Sequence, residues 1–262
     1  MMFCRFCGTT DSQFRISGKF GCEHCALQFS YPIKKNQSLI PKSLIDEIER
    51  IFTKSDSKIR ILSVRTRLTR NLRHNLFPFY DVKEEEVKRL LDENGFLELL
   101  NLGTNPILKK INPMVRLYLG GEDHLRLEII WTAETENTLQ TFPIQQVSKE
   151  RHKNIKSLLR FFFQKQHWAF ANGFGYIASC PTNLGRGRRD SLLLGIEPGV
   201  DPSFFSLFDK LSEFGIEFAP STDHRRESLG NFRGLVVKIS WKNAFAVQKR
   251  KFYKILGLRG SL

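Results

Sequence analysis

The chain has 262 residues, of which 41% are hydrophobic, and a formal charge of +14 at pH 7. This size allows one large domain, or one domain with a small added module. The charge predicts an anionic partner such as a nucleotide, a nucleic acid, an acidic protein or an anionic membrane face; the alternative is a solubilising surface without a dedicated partner.

The start of the chain and its apolar runs predict no passage across a membrane. Residues 1–4 lack the basic segment and apolar run of a signal peptide. No apolar run approaches the ~20 residues that span a bilayer. We therefore expect a cytoplasmic protein, in which cysteines serve as ligands or reactive thiols rather than as disulfides.

Four of the five cysteines form two pairs, Cys4-x2-Cys7 and Cys22-x2-Cys25. Two such pairs supply the four thiolates of a tetrahedral zinc ion, Zn²⁺. So short a module cannot build a core without a metal, and residues 1–30 are therefore predicted to form a zinc ribbon. The alternative is two reduced dithiols or a redox pair. His24, between the second pair, is predicted to be a bystander.

The remaining sequence mixes helix and strand patterns without a regular βαβ alternation, which favours an α+β fold with an antiparallel sheet. The predicted elements are helices at 43–54, 82–94, 148–171 and 202–214, and strands at 59–64, 115–119, 125–131, 174–179, 191–196, 215–219 and 234–241. A hairpin is predicted around Gly120 and Gly121. The chain then divides into the ribbon at 1–30, a linker and helix at 31–58 and a larger domain at 59–262.

A basic cluster follows the first predicted strand. Arg65 and Arg67 are two residues apart, so on a strand they share a face and can point at one anion. The cluster continues through Arg70 and Arg73. Guanidinium groups fit phosphate oxygens through paired hydrogen bonds. The alternative is a solvated basic edge.

A second polar group lies at the predicted hairpin turn, where Glu122, Asp123, His124 and Arg126 bring acid, imidazole and cation together. These residues fit a catalytic carboxylate beside a phosphate-binding arginine. The alternative is an ordinary polar turn.

The fifth cysteine, Cys180, lies in the segment Ser179–Gly185, which Arg188 and Arg189 follow. Nearby positive charge favours the thiolate, so we expect Arg189 to activate this thiol. The alternative is a small buried hydrophobe. Taken together, four arginines, a carboxylate and a thiol suit phosphoryl transfer to a guanidine. Arginines and Mg²⁺ offset the phosphoryl charge, while a carboxylate holds the guanidine in line and accepts its proton.

Three segments resemble, in the same order, motifs of the ATP:guanidino phosphotransferases, the phosphagen kinase family. They are Val64–Leu72 with Phe77-Pro78, Glu122–Arg126 and Gly175–Gly185. The bacterial protein-arginine kinases are the branch that these segments resemble most. Residues 1–30 resemble the cysteine-rich activator protein that accompanies those kinases. The chain therefore resembles a fusion of that protein with the kinase domain.

This resemblance implies a glutamine-synthetase-like antiparallel sheet backed by helices, with ATP and Mg²⁺ as cofactors. It implies an arginine-bearing protein as substrate, or a protein-quality-control partner. Phosphates would be bound by Arg65, Arg67, Arg126 and Arg189. By the same resemblance Glu122 would orient the acceptor guanidine, with Cys180 beside it.

The late part of the sequence departs from the family pattern. Aligned through 227–231, Ala219 falls where the family has a phosphate-binding arginine, and His224 where it has a second catalytic glutamate. Asp223, or His224 acting as a base, is expected to substitute. The main hypothesis is a protein-arginine kinase. The alternatives are a catalytically impaired pseudo-kinase, acting as a zinc-bearing adaptor for nucleotide or phosphoarginine, and then nucleic-acid binding, placed last because the basic residues cluster at the phosphate motifs.

Overall fold

The structure, a computed structural model, describes residues 2–32, 39–54, 58–73, 79, 84–96, 114–120, 122–132, 153–221 and 232–242. The chain forms two compact units. The first unit combines Met1–Lys35, Arg67–Ile129 and Lys153–Arg188, and the second unit combines Asn36–Thr66, Ile130–His152 and Arg189–Leu262. Each unit is therefore assembled from segments that lie far apart in the sequence.

The strands of the described residues are β1 (Ile59–Arg70), β2 (Met114–Leu119), β3 (Leu125–Thr132), β4 (Phe170–Ala171), β5 (Gly175–Tyr176), β6 (Arg188–Ile196), β7 (Ile216–Pro220) and β8 (Leu235–Lys242). Six of them form one sheet in the order β2-β3-β1-β6-β8-β7, and β4 and β5 form a two-stranded ribbon. β8 pairs antiparallel with both β6 and β7.

The α-helices of the described residues are α1 (Asp11–Ser17), α2 (Cys25–Gln28), α3 (Lys42–Lys54), α4 (Glu84–Glu93), α5 (Lys153–Phe162) and α6 (Ser203–Leu211). None of the helices in the described ranges combines the length and the apolar composition needed to cross a membrane. The predicted α+β class, an antiparallel sheet backed by helices, is confirmed.

In the second unit, α3 and α6 cover one face of the sheet. Every second residue of β6 and β8 points into this core, as the two-residue period of a strand requires. The helices contribute apolar residues three and four apart, the spacing of one helix face. These core residues are Leu44, Ile48, Ile51, Leu192, Leu194, Ile196, Phe204, Leu207, Leu211, Val237, Ile239 and Trp241. The intervening strand residues therefore lie on the opposite face.

In the first unit, the cysteine-rich residues share a core with later parts of the chain. Phe20 and Cys22 lie in one apolar cluster with Phe79, Ile177 and Leu184. Residues 1–30 therefore pack inside a larger compact unit. The division of the chain at residues 30 and 58 stays a prediction.

Three elements differ most from their predicted bounds. The helix predicted at 148–171 ends at Phe162, because Trp168 forms a β-bridge with Leu72; residues 148–152 lie outside the described part. The strand predicted at 174–179 is reduced to Gly175–Tyr176, since the N–H of Ser179 donates to a side chain instead of a neighbouring strand. The strand predicted at 59–64 continues through the basic cluster to Arg70.

Two leucines on adjacent strands of the second unit differ in burial, so their substitution by alanine should cost different amounts of stability. Leu194 is 0% exposed and Leu235 is 47% exposed. We expect Leu194→Ala to lower the free energy of unfolding by about 2–5 kcal/mol, because it leaves a cavity in the core. The control, Leu235→Ala, should cost less than about 1 kcal/mol. Urea denaturation measures both, and equal losses would contradict the difference in burial between the two side chains.

Candidate functional site

The face of the second unit opposite the helices carries a row of polar side chains. Ser240 on β8 lies opposite Ser191 on β6 and opposite Glu217 on β7. Residues paired across antiparallel strands share a face. Arg189 is two residues from Ser191 on the same strand, so it lies on that face too. We call these residues, with Arg65, the polar face.

Arg189 is fixed on the polar face by two partners. Its Nη2 donates to Glu217 Oε2 at 2.6 Å and to Ser240 Oγ at 2.9 Å. The side chain of Arg189 is 26% exposed and that of Glu217 is 42% exposed. An ion pair this open to water is worth at most about 1 kcal/mol. A phosphate group can therefore compete with Glu217 for the guanidinium.

Arg65 joins the same face from β1. Its Nε donates to Ser191 Oγ at 3.3 Å. Thr66, the next residue, is buried and donates to Asp190 at 2.7 Å, as expected for the opposite face. The predicted common face of Arg65 and Arg67 agrees with the burial pattern of β1, since both arginines are half-buried and their neighbours Thr66 and Leu68 are buried.

Ala219, at the position where the family pattern has a phosphate-binding arginine, lies on the polar face. This residue is exposed on β7, and it pairs directly with Lys238 of β8. The ammonium of Lys238 therefore belongs to the same face and keeps a positive charge next to Ala219.

In the first unit, Arg126 stacks on an aromatic ring. Its guanidinium carbon lies 4.3 Å from the centre of the Tyr118 ring, a distance at which a cation is attracted to the π face. The buried Nε of Arg126 has no hydrogen-bond partner among the described residues. This nitrogen remains a donor that an anion could use.

A buried polar network joins the end of β1 to the turn after β2. The carboxylate of Asp123, which is 5% exposed, accepts hydrogen bonds from Asn71 Nδ2 at 3.0 Å and from the N–H of Ser179 at 2.7 Å. Asn71 Oδ1 accepts from the N–H of His124 at 2.8 Å, and Nδ1 of His124 accepts from the N–H of Leu72 at 3.0 Å. Asp123 and His124 are therefore structural, and the network holds the turn in place.

Glu122, next to this network, is exposed to solvent. The acid of the turn that can meet a substrate is thus Glu122, and the buried Asp123 fixes its backbone. Sequence reasoning assigned no role to Asn71, although its place directly after the arginine-rich strand was a signal.

Arg70 has a different role from the half-buried arginines of its strand. It is 1% exposed, and its guanidinium lies 3.7 Å from the centre of the Tyr176 ring. Its Nε donates to the carbonyl of Phe162 at 2.7 Å, and its Nη1 donates to the carbonyl of Thr69 at 2.6 Å. Burial lowers the pKa of Arg70 to about 10, so the side chain stays charged at neutral pH. The solvated edge considered from the sequence is wrong for this residue.

Gly187 makes room for the Arg70 guanidinium. Its φ is +54°, and a Cβ there would overlap Arg70 Nη1 and lie 2.8 Å from the carbonyl oxygen of Thr69. The carbonyl of Gly187 also accepts a hydrogen bond from Arg70 at 3.3 Å. A glycine is required here for both backbone conformation and space.

Cys180 lies at the start of a 3-10 turn, Pro181–Asn183. Its thiol is half-buried, and its Sγ lies 3.0 Å from Thr182 Oγ1. The alternative of a fully buried thiol is therefore wrong. Its activation by Arg189 stays a prediction.

The four N-terminal cysteines form a cluster that can hold a metal ion. Their sulfur atoms all lie within 4.8 Å of one another, with separations of 3.5 Å for Cys4–Cys22 and for Cys7–Cys25, and 3.8 Å for Cys22–Cys25. A tetrahedron of sulfurs around zinc has edges of about 3.8 Å. All four are free cysteines, which excludes disulfides.

The thiols of this cluster lie close enough to form hydrogen bonds with one another, which shift their pKa values in opposite directions. Hydrogen bonding with Cys22 lowers the pKa of Cys7, whereas hydrogen bonding with Cys25 raises the pKa of Cys22. The ring of His24 stacks on Phe6 with centroids 3.6 Å apart. The predicted bystander role of His24 agrees with this contact, because the clustered donor atoms are the four sulfurs.

Two candidate residues of the late motif, Asp223 and His224, lie outside the described residues. The same holds for Gly121, for Phe77-Pro78 and for the aligned segment 227–231. Their proposed roles stay predictions.

Comparison with known proteins agrees with the motifs. A family model, "ATP:guanido phosphotransferase, C-terminal catalytic domain", matches residues 58–238. A protein-arginine kinase of Listeria welshimeri is 28% identical over 166 residues, which cover 53% of this chain and 45% of that protein. A protein-arginine kinase of Brevibacillus brevis is 26% identical over 208 residues, which cover 67% of this chain and 56% of that protein. The chain thus spans about half the length of the curated relatives it matches.

The fold is similar to that of a solved phosphagen kinase. The crystal structure of lombricine kinase aligns with a TM-score of 0.50 at 15% identity, covering 91% of this chain and 77% of that chain. A likeness at this identity shows the fold alone. It confirms the antiparallel sheet backed by helices that the sequence resemblance implied.

The contacts of Arg70 predict that lysine cannot replace it. A lysine ammonium is a point charge, so it cannot bond the separate carbonyls and stack on Tyr176 at once. We expect Arg70→Lys to lower the free energy of unfolding by about 2–4 kcal/mol, because buried carbonyls lose their donors. The control is Arg73→Lys at an exposed position, which should change it by less than about 0.5 kcal/mol. Urea denaturation measures both, and a tolerated Arg70→Lys would contradict the structural role.

Proposed function

Because the chain belongs to the ATP:guanido phosphotransferase family through the catalytic domain matched at residues 58–238, we propose that it is a protein-arginine kinase, which transfers the γ-phosphate of ATP to an arginine guanidinium. The observation that carries the proposal is the polar face. Arg65 and Arg189 are held there by hydrogen bonds to Ser191 and Ser240, on the side of the sheet opposite the helices.

The phosphates of ATP are bound in this proposal by Arg65, Arg67, Arg126 and Arg189. Their guanidinium groups fit phosphate oxygens with paired hydrogen bonds. Support comes from the Nε of Arg126, which has no hydrogen-bond partner in the part of the chain that the structure describes, and from the partly exposed ion pair of Arg189 with Glu217. When bound, Mg²⁺ supplies further neutralisation of phosphate charge.

Lys238 takes the place of the arginine that the family has at the position of Ala219. The two residues pair directly across β7 and β8. An ammonium keeps the positive charge but not the bidentate geometry of arginine. The substitution is therefore expected to weaken phosphate binding without abolishing it.

The acceptor arginine is oriented by Glu122, which is exposed beside the buried network of Asp123. One guanidine nitrogen attacks the γ-phosphorus, the bond from phosphorus to the bridging oxygen breaks, and ADP leaves with that electron pair. The nitrogen's proton passes to a carboxylate. Asp223 or His224 serves as the second base, and the Cys180 thiol lies beside the acceptor.

The partners follow from this chemistry. The substrate is a protein with an accessible arginine, such as one presented by the protein-quality-control system. The four-cysteine cluster holds zinc, as its sulfur spacing supports. Cytoplasmic location fits the requirement for ATP and the free thiols.

Glu122→Gln tests the proposed reaction. We expect transfer of the γ-phosphate of ATP to arginine in a protein substrate to fall at least about 100-fold, because an amide cannot accept the proton. Glu213→Gln, at an exposed site in the second unit, is the control and should leave the rate within about twofold. Phosphoarginine is measured by acid-sensitive ³²P incorporation and mass spectrometry.

The same assay decides between kinase and pseudo-kinase. Absence of transfer by the unaltered protein at all Mg²⁺ concentrations would contradict the proposal. ATP binding without transfer would then favour the adaptor, an alternative that Ala219 motivates.

Removal of one cluster thiol tests the metal assignment. Cys22→Ser should reduce bound zinc from about one ion per chain to a small fraction of that, since structural zinc sites use four ligands. Cys180→Ser removes a thiol outside the cluster and should leave the zinc content unchanged. Metal analysis by mass spectrometry measures both, and equal zinc in the two variants would argue against the site.

A further inference from the structure

Ser179, the residue before Cys180, is held by hydrogen bonds on both sides of its backbone. Its N–H donates to Asp123 Oδ1 at 2.7 Å. Its carbonyl accepts from the N–H of Phe20 at 2.8 Å. All three residues are buried, with Ser179 1%, Asp123 5% and Phe20 0% exposed. We call this pair of hydrogen bonds the Ser179 anchor; water cannot readily replace either partner, so losing one leaves a buried polar group unsatisfied.

One side of the Ser179 anchor belongs to the cysteine-rich segment. Phe20 is two residues before Cys22, a member of the sulfur cluster. Its ring stacks on Phe14 with centroids 4.9 Å apart and meets Tyr31 edge-on at 5.5 Å. Phe20 and Cys22 also share one apolar cluster with Leu184. Phe20 therefore lies between the metal-binding sulfurs and the loop of Cys180.

Two further bonds tie the same short segment to its surroundings. The carbonyl of Gly21 accepts from the N–H of Phe79 at 2.6 Å. The carboxylate of Glu23 accepts from the N–H of Phe170 at 3.3 Å. Two backbone groups and the side chain of Glu23 thus bond residues 20–23 to three separate parts of the first unit.

The other side of the Ser179 anchor leads to Glu122. Asp123 follows Glu122 directly, and Asn71 Nδ2 donates both to Asp123 and to Ser179 Oγ, at 3.0 and 3.3 Å. A shift of Ser179 would therefore disturb Cys180 on one side and the Glu122 turn on the other.

We propose that the metal-loaded cysteine module positions Cys180 and the Glu122 turn through the Ser179 anchor, so that loss of the metal releases the Cys180 loop while the second unit stays folded. The metal is what joins the two cysteine pairs, whose four sulfurs lie within 4.8 Å of one another; without it the segment between the pairs loses that constraint, and the N–H of Phe20 would leave Ser179. Phe20 and Asp123 are positioning residues. The inference rests on the proposed function only for the chemical roles of Cys180 and Glu122.

Hydrogen exchange of the full chain tests the release directly. Backbone amides of peptide 177–184 are compared before and after zinc is removed with a chelator, with peptide 192–196 from β6 as the internal reference. We expect exchange at 177–184 to become at least about tenfold faster and the reference to change less than about twofold. Unchanged exchange at 177–184 after the zinc is gone overturns the proposal. Equal loss of protection in both peptides also overturns it, because the metal would then hold the whole fold.

Replacing one backbone N–H by an ester oxygen tests the Ser179 anchor without changing any cysteine of the metal site. The Gly21–Cys22 junction allows a synthetic peptide of residues 1–21 to be ligated to residues 22–262, with the Phe20 amide replaced by an ester. This ester removes the N–H and keeps the ring. We expect unchanged zinc content, at least about tenfold faster exchange at 177–184, and a lower kcat with an unchanged KM for ATP.

An ester at Gly18 is the matched control, because the N–H of Gly18 donates to the carbonyl of Phe14 inside the module. It should leave exchange at 177–184 and kcat unchanged. Equal effects of the two esters overturn the proposal. A protein without any phosphotransfer would refute the proposed function alone, since zinc content and hydrogen exchange still decide the positioning role.

Discussion

The two-residue alternation of the sheet strands is the constraint on which the second unit depends. Leu192 and Leu194 must point into the core under α3 and α6, so Ser191 and Arg189 must point to the other side. Fully burying side chains of that size contributes about 1.5–3 kcal/mol each, far more than the exposed ion pair of Arg189 with Glu217. Burial of the apolar side chains therefore decides which residues of each strand face the helices. The residues between them are placed on the polar face as a consequence.

Two arginines of one strand, β1, have different surroundings. Arg65 is half-buried beside Ser191, whereas Arg70 is enclosed by Tyr176 and by backbone carbonyls. The sequence alone cannot separate the two, since the enclosing groups come from residues about a hundred positions away. A stacked, fully hydrogen-bonded guanidinium supports the fold, and an accessible guanidinium can meet an anion.

The sequence predicted features that depend on local spacing. Paired cysteines predicted the sulfur cluster, the apolar run at 59–64 predicted the first half of β1, and the two-residue period of a strand predicted the common face of Arg65 and Arg67. It missed the Asn71–Asp123–Ser179 network, because that network joins segments 52 and 56 positions apart. The helix predicted at 148–171 ends early, at Phe162, for the same reason, since a long-range bridge to Leu72 overrides local helix preference at Trp168. The roles of Asp223 and His224 are still predictions.

The proposed function requires the polar face to bind the phosphates of ATP. Its most direct test is the Kd for ATP of Arg189→Gln, measured by titration calorimetry beside Arg60→Gln. Arg60 is 54% exposed and forms an ion pair with Glu197 at 3.0 Å, so it matches Arg189 in chemistry but not in position. We expect at least about tenfold weaker binding for Arg189→Gln and less than about twofold change for Arg60→Gln. Equal affinities of the two variants would contradict this requirement.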